Sequence, residues 1–125
     1  MNCPFCSLDK ERIILSNEHA VSIYDGYPVT IGHCLVLPAR HISSFFEATK
    51  DEQMAMLDLL TKMQLLLLLE RNIAGFNIGI NDGPAAGQTI MHLHIHLIPR
   101  YLGDIDDPRG GVRWIIPEKA AYWEK

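Results

Sequence analysis

The chain has no surplus of positive charge. Its formal net charge is −4, and its 11 lysines and arginines do not gather into a cluster. Proteins that bind nucleic-acid polymers through the phosphate backbone normally present a basic stripe, so that class is disfavoured. A nucleotide needs only a few local donors and stays open as a partner. Long apolar runs are also missing. The leucine run 65–69 is far too short to span a bilayer, so no membrane partner is expected. The opening residues Met-Asn-Cys-Pro-Phe-Cys lack the basic start and apolar stretch of a signal peptide. The expected setting is cytoplasmic, with reduced thiols, and three cysteines are too few for a disulfide framework. No internal repeat, low-complexity segment or linker stands out. The length suits one domain over 1–125, with a core over 1–100 and a C-terminal extension over 101–125.

What the chain does have is Met91-His92-Leu93-His94-Ile95-His96-Leu97-Ile98-Pro99-Arg100. Apolar residues and histidines alternate there, the period-two pattern of a half-buried strand. The alternation predicts His92, His94 and His96 on one face, with Met91, Leu93, Ile95 and Leu97 turned into the core. Neighbouring imidazoles would then stand about 6.6 Å apart, within reach of one shared phosphate or metal. Three histidines in strict alternation are hard to explain as core filling. Two chemistries fit them: metal chelation by His-x-His, and nucleophilic catalysis in which one imidazole attacks and its neighbours manage protons. A metal-dependent oxygenase or isomerase would want a carboxylate in the row, and none is there.

Other segments supply context. Cys3-Pro4-Phe5-Cys6 begins too early to follow a strand, so a thioredoxin-like role is disfavoured; half of a zinc site needing two further ligands is favoured over a chance pair. Residues 19–24 and 32–38 read as neighbouring antiparallel strands around a Gly-Pro turn, and 76–81 as a third strand. Thr49-Lys50-Asp51-Glu52 is a capping box opening a helix to about Arg71, with Met56, Leu60, Met63 and Leu67 on one face. The leucine run gives that helix a second apolar face, which suggests a subunit contact. The loop 82–89 is rich in glycine but is not a P-loop; its backbone amides, with Gln88 and Thr89, are expected to receive a phosphate. Residues 112–117 read as a short extended segment, and Tyr122 and Trp123 as a tail that docks.

His92-Leu93-His94-Ile95-His96-Leu97-Ile98 resembles the motif of the histidine-triad superfamily, as do the upstream Gly-Pro-Ala-Ala-Gly-Gln-Thr and the segment Gly32-His33 to Arg40-His41. The resemblance runs from Cys3 to Arg100 and is nearest to bacterial members and diadenosine polyphosphate hydrolases. It implies an α+β fold, a bent antiparallel sheet of about five strands with one long helix, and a two-fold homodimer. It implies cleavage at the α-phosphate of dinucleoside polyphosphates or nucleoside phosphoramidates of a purine nucleotide, through a nucleotidyl-histidine. By the same resemblance His94 is the nucleophile, His96 bonds a phosphate oxygen or the leaving group, and His33 supports the row. Asn81, Gln88 and Thr89 would hold the phosphate, Asp25 the ribose, and Phe5, Leu8 and Ile23 the base. A structural zinc, one per chain, would sit on Cys3, Cys6, His41 and His92. Transferases of the superfamily usually carry Gln where this chain has His96, so hydrolysis is favoured over nucleotidyl transfer or nucleotide binding without catalysis.

Overall fold

The computed structural model describes residues 3–124; positions 1, 2 and 125 of the expected domain lie outside it. Five strands form one antiparallel sheet: β1 (Ile13–Ser16), β2 (Ala20–Tyr24), β3 (Cys34–Pro38), β4 (Gly75–Gly79) and β5 (Ile95–Arg100), in the order β1-β2-β3-β5-β4. One helix, α1 (Lys50–Glu70), connects β3 to β4. This is the expected α+β architecture. No helix among the described residues is long and apolar enough to cross a membrane.

The helix starts where its capping box lies. The Thr49 hydroxyl accepts from the Glu52 N–H at 3.1 Å, and the Glu52 carboxylate accepts from the Thr49 N–H at 2.9 Å. Met56, Leu59, Met63 and Leu67 are fully buried, each worth about 2 kcal/mol of burial. They pack with Val36, Ile95, Cys34 and Leu97 on one face of the sheet. Leu60, expected on the inner face, is only partly buried, and Leu59 takes the fully buried place. The inner face follows 56, 59, 63 and 67, so the expected face differs at one position, by one residue.

The opposite face of the sheet carries a second core, in which Cys3 and Phe5 of the N-terminal segment cover Ile23, Leu35 and Leu37. The histidines share this face. From Leu93 to Arg100 the two-residue period holds, with Leu93, Ile95 and Leu97 buried and His94, His96 and Ile98 half-buried. It does not extend back to Met91, which is 42% exposed rather than in the core. The reason is that β5 begins only at Ile95; residues 90–92 form a bend, and a strand's alternation applies only to a strand. Two further expectations change. Ile13–Ser16 is a strand that its four residues hardly announce, and residues 111–115 form a 3₁₀ turn rather than an extended segment.

Glu52 has a second role. Its carboxylate accepts from Arg40 Nε at 3.0 Å and Nη2 at 2.8 Å, which ties the helix start to the residue before His41. The Arg40 guanidinium and the Thr49 amide hold the Glu52 carboxyl down, from an ordinary 4.5 to about 2. A depressed carboxyl pKa stabilises the folded chain above the unfolded value, and that contribution disappears as pH falls from about 4.5 toward 2. Glu52→Ala should lower unfolding free energy by about 1–2 kcal/mol at pH 7, from the lost cap and pair. In urea titrations the wild-type advantage should shrink as pH drops from 5 to 3. An equal difference at both pH values would contradict this assignment.

Candidate active site and metal site

The histidines are oriented by backbone groups whose roles are unambiguous. A carbonyl oxygen can only accept and an amide N–H can only donate, so each such contact decides which ring nitrogen carries the proton. His94 Nδ1 lies 2.7 Å from the His92 carbonyl oxygen, so Nδ1 bears the hydrogen and the neutral ring keeps its lone pair on Nε2. The other half of the row has the reverse arrangement. The Val29 N–H donates to His33 Nδ1 at 3.0 Å, which leaves the His33 proton on Nε2. That Nε2–H reaches His96 Nδ1 at 2.9 Å, so His96 carries its own proton on Nε2. Burial lowers the pKa of His33, with the Asp25 carboxylate opposing. Burial, with His94 and His33 nearby, pushes His96 down to about 4. Both rings are therefore neutral at pH 7. Two adjacent imidazoles, with ring centroids 5.2 Å apart, thus present opposite tools: a lone pair on His94 and an N–H donor on His96.

Loop contacts hold this relay. Thr30 Oγ1 donates to the Pro99 carbonyl at 2.6 Å and Tyr101 Oη to the Ile31 carbonyl at 2.6 Å, which pins the turn carrying Val29 to the end of β5. In the sheet, His96 stands between Leu35 of β3 and Gly79 of β4. Phe5 sets its ring edge-on to His94, with centroids 5.2 Å apart.

Around His92 a second constellation forms. His92 is fully buried, and its Nε2 lies 2.8 Å from the Pro38 carbonyl oxygen, so Nε2 is the donor and Nδ1 is bare. Burial lowers its pKa, with the Pro38 bond opposing. Facing Nδ1 are Cys3 Sγ at 3.5 Å, Cys6 Sγ at 3.6 Å and His41 Nδ1 at 3.2 Å; Cys6 Sγ and His41 Nδ1 are 3.1 Å apart. A tetrahedral ion with two sulfur and two nitrogen ligands spaces S and N by about 3.6 Å and N and N by about 3.3 Å. The three edges at His92 fit that solid and the Cys6–His41 edge is about 0.5 Å short of it, so with a small shift of His41 these four residues could hold one metal ion. Asp25, His33 and His96 also lie together. Their 2.9 Å nitrogen–nitrogen separation is the length of a hydrogen bond, and the relay through Val29 accounts for it.

The remaining expected residues fall into two groups. Asn81 is exposed and lines a cavity beside His96, and Thr89 is exposed at the end of the glycine loop. Asp25, expected at a ribose, accepts from the Tyr27 N–H at 2.8 Å and lies 3.4 Å from His33 Nε2. Gln88 turns inward: its Oε1 accepts from the Gly83 N–H, and its Nε2 donates to the Ser43 and Ile90 carbonyls. Both amide hydrogens are taken, so Gln88 braces the loop instead of reaching a phosphate. The N–H groups of Ala86, Gly87 and Gln88 likewise bond carbonyls within the loop, which removes them from the expected phosphate cradle. Positive φ at Gly83 (96°) and Gly87 (97°) makes this tight turn possible. Ile23, expected at the base, is fully buried and cannot touch a ligand, and Leu8 is partly buried against the same cluster. Sequence reasoning did not find Val29 or the Pro38 carbonyl, because backbone donors and acceptors carry no residue-type signal.

The HIT domain family matches residues 8–103. The chain belongs to the HIT family. It is 37% identical over 105 residues to an uncharacterized 16.1 kDa HIT-like protein of Mycoplasma pneumoniae, covering 80% of this chain and 72% of that one. It is 30% identical over 99 residues to the bifunctional bis(5'-adenosyl)-triphosphatase/adenylylsulfatase FHIT of Arabidopsis thaliana, covering 79% of this chain and 55% of the relative. Among solved structures, a Zn-bound histidine triad family protein from Mycobacterium smegmatis superposes with a TM-score of 0.69 at 28% identity, covering 99% of this chain and 97% of the other.

Proposed function

We propose that this HIT-family chain is a nucleotide hydrolase that cleaves at the α-phosphate of a purine nucleotide through a nucleotidyl-His94 intermediate. The observation that carries this reading is the opposite protonation of His94 and His96 on one face. His94 Nε2 attacks the α-phosphorus, and the bond from phosphorus to the leaving atom breaks. His96 Nε2–H bonds the leaving atom; an amine takes that proton and departs neutral, whereas a phosphate departs as the anion. Positive charge develops on the adenylylated His94 ring while its Nδ1–H stays on the His92 carbonyl, and this offsets charge left on the His33–His96 pair. Water then attacks phosphorus and the P–N bond to His94 breaks; the water proton restores His96 Nε2 after an amine has left, and passes to solvent after a phosphate has left. Splitting one displacement into two is the gain from covalent catalysis. The triphosphatase and sulfatase named for the plant relative support hydrolysis as the class of reaction.

Zinc is the metal that the four-donor cluster suits best, since two thiolates and two imidazoles are its ordinary closed set. The Mycobacterium relative, described as Zn-bound, supports the same choice. Bound there, zinc would supply folding energy and no chemistry at the substrate. His92 would then be held at both ring nitrogens, and its carbonyl would keep His94 oriented. A homodimer is the third part of the proposal. Leu65 is 55% exposed and Leu69 86%, with Leu68 beside them, and β4 is an open sheet edge.

Each part has its own test. With an adenylated substrate, rapid-quench mass spectrometry should place the adduct on His94. His94→Ala should bind nucleotide within about threefold of wild type yet lose at least about a thousandfold in turnover. An adduct on His96 or His33, or substantial turnover in that variant, would overturn the mechanism. Elemental analysis of protein purified without chelator should give one zinc per chain, and Cys3→Ser with Cys6→Ser should abolish it and lower Tm. Unchanged metal content in that double variant removes the assignment. Sedimentation at micromolar concentration should give twice the 14.1 kDa chain mass; a clean monomer would rule out the dimer.

A further inference from the structure

The N-terminal segment covers the second core without joining the sheet. Among the described residues, no backbone hydrogen bond links 3–8 to a strand; the Cys6 N–H turns back to the Cys3 carbonyl at 3.2 Å. What holds the segment is its side chains. Cys3 and Phe5 are buried over Ile23, Leu35 and Leu37. Phe5 stands between the two cysteines and meets two histidine rings edge-on, His92 at 5.9 Å and His94 at 5.2 Å between centroids. The other attachments are the two sulfurs, 3.5 and 3.6 Å from His92 Nδ1, with Cys6 also 3.1 Å from His41 Nδ1.

The three thiols differ in what they can do. Cys34 is fully buried, its Sγ donates to the Gly32 carbonyl at 3.0 Å, and burial pushes its pKa up to about 12. It is neither reachable nor a thiolate at pH 7. Cys3 is buried and Cys6 is exposed, so an oxidant in solution meets Cys6 first. The four donor atoms of the cluster all lie within 4.8 Å of one another, which puts Cys3 in place to resolve whatever forms on Cys6. Two sulfurs on a tetrahedral zinc stand about 3.8 Å apart, and in a disulfide about 2.05 Å. One ion and one disulfide cannot share the pair.

Resting on the zinc reading above, we propose that Cys3 and Cys6 form a peroxide-operated switch that decides whether Phe5 stays seated on His94. The Cys6 thiolate attacks one oxygen of hydrogen peroxide and the O–O bond breaks, giving a sulfenic acid and hydroxide. The Cys3 thiolate then attacks the Cys6 sulfur; the S–S bond forms, the S–O bond breaks, and a second hydroxide leaves. Two solvent protons turn both hydroxides into water. The sulfur pair has lost two electrons and the peroxide has gained them. His41 and His92 remain as two imidazoles, too few to close a tetrahedral site. The segment then keeps only the burial of its side chains, and a dithiol reductant reverses the change.

The test treats the zinc-loaded chain with a small excess of hydrogen peroxide. One zinc per chain should pass to a chromogenic chelator, and the intact mass should fall by about 2 Da, the two hydrogens lost on disulfide formation. Peptide mapping should place the bond on Cys3–Cys6 and leave Cys34 free. Dimedone added with the peroxide should trap Cys6 as its sulfenic acid. In NMR spectra the contact between the Phe5 and His94 ring protons should disappear, and turnover of an adenylated substrate should drop about tenfold. Dithiothreitol with zinc should restore the metal, the mass, the contact and the turnover. Zinc retained after the disulfide forms, a Phe5–His94 contact that the disulfide does not change, or a Cys6 sulfinic acid in place of the disulfide would overturn the switch. Oxidation confined to the exposed Met54 and Met91 would overturn it too. If the chain takes up no zinc, the metal reading falls. The metal-free chain then decides the switch alone, by whether a Cys3–Cys6 disulfide forms and separates Phe5 from His94.

Discussion

The site depends on the backbone of His92 as much as on its side chain. The ring donates to the Pro38 carbonyl at the end of β3, its other nitrogen faces two sulfurs and His41, and its own carbonyl takes the Nδ1–H of His94. Residues 90–92 are a bend outside the β ladder, so the carbonyl is held by these ring contacts and by the Leu93 N–H of the same peptide, which donates to the Ile42 carbonyl at 2.7 Å. Pro38 in turn is held by the pairing of β3 with β2, and His41 by the Arg40–Glu52 pair at the start of α1. One buried imidazole thus collects constraints from three elements and passes them to the next histidine, two residues on. This is how an outer shell can orient a group that meets the substrate.

Much of this could be read from the residues alone. Alternation from Leu93 onward, the capping box at Thr49 and the Cys3–Cys6 pair depend on residue type and spacing, which are visible in a sequence; His41 and His92 joined that pair through the family resemblance. What remained hidden depends on pairing between distant segments. The tautomer of His33 is decided by the Val29 amide, and that of His92 by a carbonyl on a different strand. Gln88 was expected to face a phosphate because it is polar and precedes the histidines; its amide instead completes the bonding of a loop that turns tightly enough to need it. Ile23 is apolar and near the site, but burial that complete makes it a support and not a surface.

The C-terminal extension was the least legible part. Its glycines, aspartates and isolated aromatics carry no periodicity, and the expected extended segment at 112–117 is instead a 3₁₀ turn over 111–115. Its order comes from stapling: arginines over aromatic rings, and backbone carbonyls capped by Arg113 and Trp114. Such contacts are worth about 0.5–1 kcal/mol each at an exposed site, so several are needed to hold the extension in place.

The same side chain, placed twice on one face two residues apart, would ordinarily do the same thing twice. Here the difference comes from what lies behind each ring. A carbonyl behind His94 forces the proton inward and leaves the outer nitrogen bare. An N–H behind His96, delivered by His33 from the Val29 amide, forces the proton outward. Burial then keeps His33 and His96 neutral, so the relay is not erased by a stray proton near pH 7. A row of identical residues becomes an ordered pair, acceptor then donor. The order of that pair along the chain, His94 just before β5 and His96 within it, gives the face a direction, from bare nitrogen to N–H donor.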